Sequence, residues 1–536
     1  MTRIRTRILA AVAAVPVLAA ATTASAEEAK NVFLLISDGA GFNHFNATGM
    51  YQYGPIGSLP YEQDGWTKFG ATTYPLNLSA TPTGDLLQDP NIVYDAAKAW
   101  DTTGTTELPF LRDDAVDGLT NTGLFAGYDF VKTTFTDSAA AGTAIATGQR
   151  TYNGSINLDN QGNALTSISE IAKRNGLSTG VVSSVYFSHA TPATIGGAKE
   201  ISRNNYNSIA NQMLDNDTLD VIMSPNNTGG GSFDRIGGTE TYAELQNGTH
   251  PRGWQLLEDR ASVEALADGT ATPTQGPLIA LTGDVSLQYT RPFTQDWNNN
   301  GVIDDNTASP FFPLTEDQVT ERQMAPINPG DNSQGDPFLD NPTLASMTRA
   351  AINHLDAQAG SEGIFLMVEG SHVDWAGHGS NTTRLIEEQV DFNNSVEAVM
   401  DWVMANDPNL EETLVIVTAD HEAGMVWGPD SDTEAFDPIE DNGVGNKPGM
   451  RMNSTDHTNQ LVPMYAIGVG SDQFAALTDG VDSEYLARYG MAGLEGWGDE
   501  YIGIDDIFTV MSESIPEPTS LTLLGLTALG LMRRRQ

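Results

Sequence analysis

The chain has 536 residues, enough to bury at least one large core, and 40% of them are apolar, as in an ordinary folded protein. Twenty-six basic residues against 70 acidic ones give a formal charge of −44. Such a surface repels nucleic acid and anionic membranes, so no nucleic-acid binding is expected, and an anionic ligand would need a local source of positive charge. The absence of cysteine excludes disulfides and thiolate metal sites and leaves His, Asp and Glu as ligands for any transition metal.

Residues 1–26, MTRIRTRILAAVAAVPVLAAATTASA, combine three arginines, a short apolar stretch and a small-residue ending suited to cleavage after Ala26. They read as an export signal. The run NVFLLISDGAGF from Asn31 follows, unbroken by polar alternation and ending in Asp38. A small insertion is expected at about 73–127. Next, VKTTFTDSAAAGTAIATG places Ser138, preceded by Asp137, at the start of a small-residue helix, an anion-binding geometry if Ser138 is more than a cap. ALTSISEIAKRNG reads as a helix ending at Gly176, and GVVSSVYFSHATPAT from Gly180 as a strand followed by His189 and Thr191.

From 205 to 342 the chain turns rich in Asn, Gly, Asp, Thr and Pro, which reads as an inserted cap-like subdomain dividing the core into 27–204 and 343–512. Within it, DWNNNGVIDD sets Asp296, Asn298, Asn300 and Asp304 at the spacing of an EF-hand-type Ca2+ loop. Its twelfth position is Thr307 rather than Glu, so a calcium loop and a solvated turn both stay open.

The second part of the core begins with GIFLMVEGSHVDWAGHGS, an apolar run leading into Glu369, His372, Asp374, Trp375 and His378. Asp374 and His378, four apart, would share one face of a helical turn. The stretch after Asn381 spaces Ile386, Val390, Val396, Val399, Met400 and Val403 along one helical face. LVIVTADHE ends in Asp420 and His421, and His457 precedes the apolar run LVPMYAIGVG. Residues 513–536 join Pro516-Glu517-Pro518 to a short apolar segment and the cluster Arg533 to Arg535, a layout too short for a stable membrane span.

Apolar runs of this kind suit strands covered on both faces. We therefore expect an α/β fold, a three-layer α/β/α sandwich around a large, mostly parallel central sheet. In such sheets the carboxyl ends of the strands form the binding crevice. Four strand ends carrying Asp38; His189 and Thr191; Glu369 and Asp374; Asp420 and His421 would meet there, giving a sulfur-free bimetal site of the kind zinc accepts.

These motifs resemble the alkaline phosphatase family, in the same order, through most of the chain outside the insertions. The resemblance implies a phosphate monoester hydrolase with two Zn2+ and one Mg2+. It makes Ser138 the phosphorylated nucleophile, and Asp38 a bridge between a zinc and the magnesium. Thr191 and Glu369 would be the other magnesium ligands. Asp374, His378 and His457 would hold the zinc beside the leaving group; Asp420 and His421, with Asp38, the zinc on the nucleophile. Arg203 in SRNNY resembles the family's phosphate-gripping arginine, one residue further from HATPA than in familiar members, with Arg150 and Arg174 as alternatives. His189 and Trp375 resemble the second-sphere pairing of some marine bacterial enzymes, although Trp375 equally suits packing, and His372 has no ligand role in the motif. The tail resembles the PEP-CTERM sorting signal of Gram-negative bacteria, implying exosortase processing and delivery to the periplasm, outer surface or extracellular matrix. A phosphodiesterase of the same superfamily, a non-catalytic matrix protein and a homodimeric assembly remain open on the sequence.

Overall fold

The computed structural model describes residues 28–104, 125–226, 233–283, 341–360 and 362–515. The export signal, the candidate calcium loop and all but the first residues of the sorting tail lie outside them. No helix among the described residues is long and apolar enough to cross a membrane.

The strands are β1 (Asn31–Ser37), β2 (Thr67–Thr72), β3 (Ser178–Ser183), β4 (Val221–Pro225), β5 (Gln255–Leu257), β6 (Leu278–Thr282), β7 (Ile364–Gly370) and β8 (Thr413–Thr418). They are followed by the short β9 (Glu422–Ala423), β10 (Val426–Trp427), β11 (Arg451–Met452) and β12 (His457–Thr458), then β13 (Val462–Gly468), β14 (Thr478–Val481) and β15 (Glu500–Gly503). Eleven of them form one sheet in the order β14-β15-β2-β13-β8-β1-β7-β3-β4-β6-β5. From β8 to β5 every pairing is parallel; β13 joins antiparallel to β8 and β2. Strands β7 and β8 are buried along their whole length, so both faces of the centre are covered. Unbroken Val, Ile, Leu and Phe runs build such a centre because neither face meets water.

The 382–406 helix starts where Asn381 caps it by accepting from Arg384 N. Its first half is buried almost all round, Arg384, Glu387, Gln389 and Asn393 included, more than its single apolar stripe implied. The Ser138–Thr147 helix is buried throughout, which its small side chains permit. A Cβ at Gly142 would sit 2.6 Å from Thr194 Oγ1, so this glycine sets the approach of the Ala190–Ile195 helix.

The stretch read as a cap departs from expectation. Between 205 and 282 it supplies β4, β6 and β5, which extend the central sheet, and the helices Tyr206–Asp215 and Arg260–Ala267. Val221, Ile222, Met223, Ile279 and Leu281 are fully buried. These are sheet strands of five residues or fewer set between long polar loops, and the loops dominate the composition. The rest, 284–340, lies outside the described residues. In the earlier insertion, residues 73–104 pack Tyr94 and Trp100 into an aromatic cluster with Trp427, Phe436 and Tyr489.

Candidate active site

The site forms where β1, β7, β8 and β3 end side by side. Strand β1 runs directly into Asp38, whose N–H donates to Gly370 O at 3.2 Å. Gly39 follows with φ +78° and packs so tightly that a Cβ would lie 2.6 Å from Asp374 Cα, so this turn requires glycine for both reasons. Glu369 is the penultimate residue of β7, and Asp420 and His421 follow β8. The His372–His378 helix carries Asp374 and His378 on one face, with His378 Nε2 3.4 Å from Asp374 Oδ2. His457 arrives through β12, whose antiparallel pairing with β9 sets His457 opposite Ala423.

These residues fall into three groups able to hold cations: Asp374, His378 and His457; Asp38, Asp420 and His421; Asp38, His189 and Glu369. In the first, His378 Nδ1 faces Thr455 O at 2.7 Å and His457 Nδ1 faces Thr136 O at 2.9 Å. A carbonyl only accepts, so both Nδ1 atoms carry a hydrogen, and both Nε2 atoms, 3.1 Å apart, point at the same space. Asp374 Oδ1 lies 3.2 Å from His457 Nε2. Against its burial, His378 and His457 hold Asp374 well below the usual carboxylate range. Against its partial burial, His378 is raised to about 9 by Asp374.

In the second group His421 Nε2 is 3.3 Å from Asp38 Oδ1, 3.4 Å from Asp420 Oδ2 and 3.1 Å from Ser138 Oγ. Burial, then Asp420, Asp374 and Glu369, push Asp38 well above the carboxylate range, opposed by Arg203. Burial likewise raises Glu369 to about 7 and Asp420 to about 6. Asp38 Oδ1, Asp374 Oδ1, Asp420 Oδ2 and Glu369 Oε1 are buried and complete no hydrogen bond. Oxygens this crowded need compensating charge. The residues fit the implied metals: imidazole and carboxylate donors suit zinc, and an all-oxygen set of Asp38, Glu369 and the buried Thr191 hydroxyl suits magnesium. His189, expected outside the ligand sphere, falls in the same group as Asp38 and Glu369.

Ser138 opens its helix, and Asp137 caps it: Asp137 Oδ1 accepts from Ala140 N at 3.0 Å and Gly154 N at 2.9 Å. Asp137 Oδ2 accepts from Arg203 Nη1 at 3.0 Å, which leaves Nη1 3.5 Å from Ser138 Oγ; Nη2 donates to His189 Nε2 at 3.1 Å. Of the three candidate arginines, Arg203 is the one brought to Ser138. Arg150 pairs with Asp505 at 2.8 Å and bonds Thr72 and Tyr74, and Arg174 bonds Glu170 O on its own helix. Trp375 stands between the rings of His189 and His372, at 6.4 and 4.7 Å, and His372, in none of the three groups, bonds Ser184 Oγ at 3.2 Å.

Sequence reasoning passed over the serines that orient the carboxylates. Ser371 Oγ donates to Asp38 Oδ2 at 3.1 Å, and Ser183 Oγ donates to Glu369 Oε2. For Ser183 the signal was its place with Ser184 after Val181 and Val182 at the end of β3; Ser371, between Gly370 and His372, carried none. Buried Glu422, next to His421, is also unforeseen: it accepts from Val426 N and Thr458 Oγ1, bracing the β9–β12 pair.

A family model described as alkaline phosphatase matches residues 111–437, and one described as the PEP-CTERM protein-sorting motif matches 514–536. Alkaline phosphatase 4 of Bacillus subtilis is 31% identical over 294 residues, 54% of this chain and 50% of that protein. Alkaline phosphatase of Escherichia fergusonii is 30% identical over 415 residues, 70% of this chain and 78% of that protein. The match thus spans about half the length of the Bacillus relative and more of the Escherichia one. In structure, the alkaline phosphatase of the Antarctic bacterium TAB5 overlays at a TM-score of 0.54 with 20% identity, over 92% of this chain and all of that one, a likeness of fold. A variant of that enzyme, with a TM-score of 0.53 and 20% identity over the same shares of the two chains, has Mg bound in its M3 site. With a family model spanning more than half its length and strand ends that converge as described, this chain belongs to the alkaline phosphatase family.

Proposed function

We propose that the protein is an exported, metal-dependent phosphate monoester hydrolase working through a phosphoserine on Ser138. The observation that carries this reading is Ser138 Oγ at a helix N-terminus, 3.1 Å from His421 Nε2 and 3.5 Å from Arg203 Nη1, beside buried carboxylates that complete no hydrogen bond.

Asp374, His378 and His457 would hold one Zn2+, and Asp38, Asp420 and His421 the other; Glu369, Thr191 and Asp38 would hold Mg2+. When bound, these cations supply positive charge that draws a phosphate into an acidic protein, lowers the barrier to nucleophile formation and stabilises the departing oxygen. Phosphate monoester hydrolysis is among the slowest uncatalysed reactions, so charge stabilisation on this scale is needed.

Arg203, held by Asp137, grips two phosphate oxygens, and the first backbone N–H groups of the Ser138–Thr147 helix face the same anion. Ser138 Oγ gives up its proton and forms a bond to phosphorus as the bond to the ester oxygen breaks; that oxygen takes up a proton and leaves as an alcohol. Water then adds its oxygen to phosphorus on the same line, the P–Oγ bond breaks, Ser138 regains a proton and phosphate is released. The 514–536 motif supports export and removal of the tail by an exosortase-type enzyme.

Full-length mature protein reconstituted with Zn2+ and Mg2+ should hydrolyse aryl phosphate monoesters faster than diesters. Activity should disappear with chelator, and Ser138→Ala should lose about 10³-fold or more. Undiminished turnover by Ser138→Ala would sink the nucleophile assignment, and a strong diester preference would make the protein a diesterase of the same superfamily.

A further inference from the structure

Phe135 is a half-buried aromatic ring three residues before Ser138. Among the described residues it joins neither of the two hydrophobic clusters. Its position is nevertheless fixed. Thr134 and Thr136 on either side are buried. Thr134 Oγ1 donates to Phe130 O at 2.7 Å and accepts from Asn459 Nδ2 at 3.0 Å, and Thr136 O accepts from His457 Nδ1 at 2.9 Å. Among the described residues, Phe135 meets the His457 imidazole edge-on, at 5.7 Å and 68°.

The direction of the reaction gives this ring a use. Ser138 Oγ touches His421, and the His421 and His457 rings stack at 3.7 Å, so the Asp374, His378 and His457 group stands beyond the nucleophile's partner. That group reaches solvent at His378, whose side chain is 23% exposed, as Arg203 and Asp137 do at 20% and 18%, whereas those of Asp38, Asp420 and His421 are fully buried. In an in-line displacement the leaving oxygen lies on the side of phosphorus away from Ser138 Oγ, and the group it carries exits past His378 and His457. An aromatic face held at that exit, outside both hydrophobic clusters of the described residues, is suited to a flat apolar group.

We propose that Phe135 is a specificity-determining residue, a shelf against which the alcohol portion of the substrate stacks, favouring phosphate monoesters of aromatic alcohols over small aliphatic ones. The inference rests on the monoesterase reading and deepens it.

The test compares benzyl phosphate with ethyl phosphate, whose leaving oxygens are both those of aliphatic alcohols, in the zinc- and magnesium-loaded wild type, Phe135→Leu, Phe135→Ala and Phe135→Tyr. The ratio of the two kcat/KM values does not depend on the fraction of enzyme that is active. In Phe135→Ala it should fall about two- to tenfold, chiefly through KM for the benzyl ester, less in Phe135→Leu, and Phe135→Tyr should keep it. Calorimetric binding of benzylphosphonate against ethylphosphonate should change in parallel and needs no turnover. An unchanged ratio in Phe135→Leu and Phe135→Ala, or unchanged relative phosphonate affinities, overturns the shelf. A wild type that hydrolyses neither ester overturns the monoesterase reading instead, and phosphonate binding still decides on Phe135.

Discussion

The centre of the sheet and its β4-β6-β5 edge are built from the same material and do different things. Strands β7 and β6 are both buried along their whole length, and both pair in parallel with their neighbours. The central strands run out into Asp38, Glu369 and Asp420, whereas β4 ends at Pro225 and Asn226, and β6 at Gly283. Strand β1 lies between β8 and β7, with Ile36 level with Thr418 and Glu369, so Asp38 and Asp420 each follow two residues beyond that level and Glu369 stands on it between β1 and β3. Apolar strands make the platform; what they carry at their carboxyl ends, and which strands are neighbours, makes the site.

The sharpest way to break this contrast is Asp38→Asn. It should cost about 10³-fold or more in activity, yet stabilise the metal-free protein at pH 8. The sign follows from linkage. Asp420 rises from 3.8 to about 6 and Glu369 from 4.5 to about 7, and Asp38 is also raised. The stability that these protonated groups contribute is complete below about pH 4 and is lost as pH rises through about 6 to 7. His44 and His372, lowered to about 3, act oppositely below their ordinary value of 6.5; like Asp420 and Glu369 they are common to both proteins, so the difference comes from Asp38, whose charge is disfavoured by burial and by those carboxylates. Chelated Asp38→Asn should therefore melt higher than chelated wild type at pH 8 and about equally at pH 4. A lower melting temperature at pH 8 would mean that Asp38 is structural.

Arg203→Leu should lower kcat/KM by about 10²- to 10³-fold and weaken inhibition by inorganic phosphate, with zinc content unchanged. Retained phosphate inhibition would return the role to another cation. At the edge of the sheet, Leu281→Ala should cost about 2 to 5 kcal/mol of stability while kcat of the folded enzyme stays within about twofold. A large loss of kcat would show that the edge is coupled to the centre.

Motifs that pack a candidate ligand and a turn into a few residues, such as SDGAG, TADH and the Asp374 to His378 spacing, were legible as parts of one site because local backbone geometry alone decides where those side chains point. Arg203 was not settled by its spacing, because its place depends on Gly154 O accepting from Arg203 N at 2.8 Å and on Asp137 accepting from its guanidinium. The serines Ser183 and Ser371 were missed because a hydroxyl at a strand end has a structural use almost everywhere. Residues 205–282 were misread because a strand of five residues barely changes the composition of the polar loops around it.

The sequence by itself determined the residue types that gather at the strand ends, the parallel α/β class and the helix that opens at Ser138, since each rests on local chemistry or on burial of an unbroken apolar run. Only the tertiary structure decided which residues are neighbours. Asp38 and His421 lie hundreds of positions apart, and strand order brings them within 3.3 Å; His457 joins them through the pairing of β12 with β9. Strand order and pairing come from long-range burial, which no short stretch of the chain encodes.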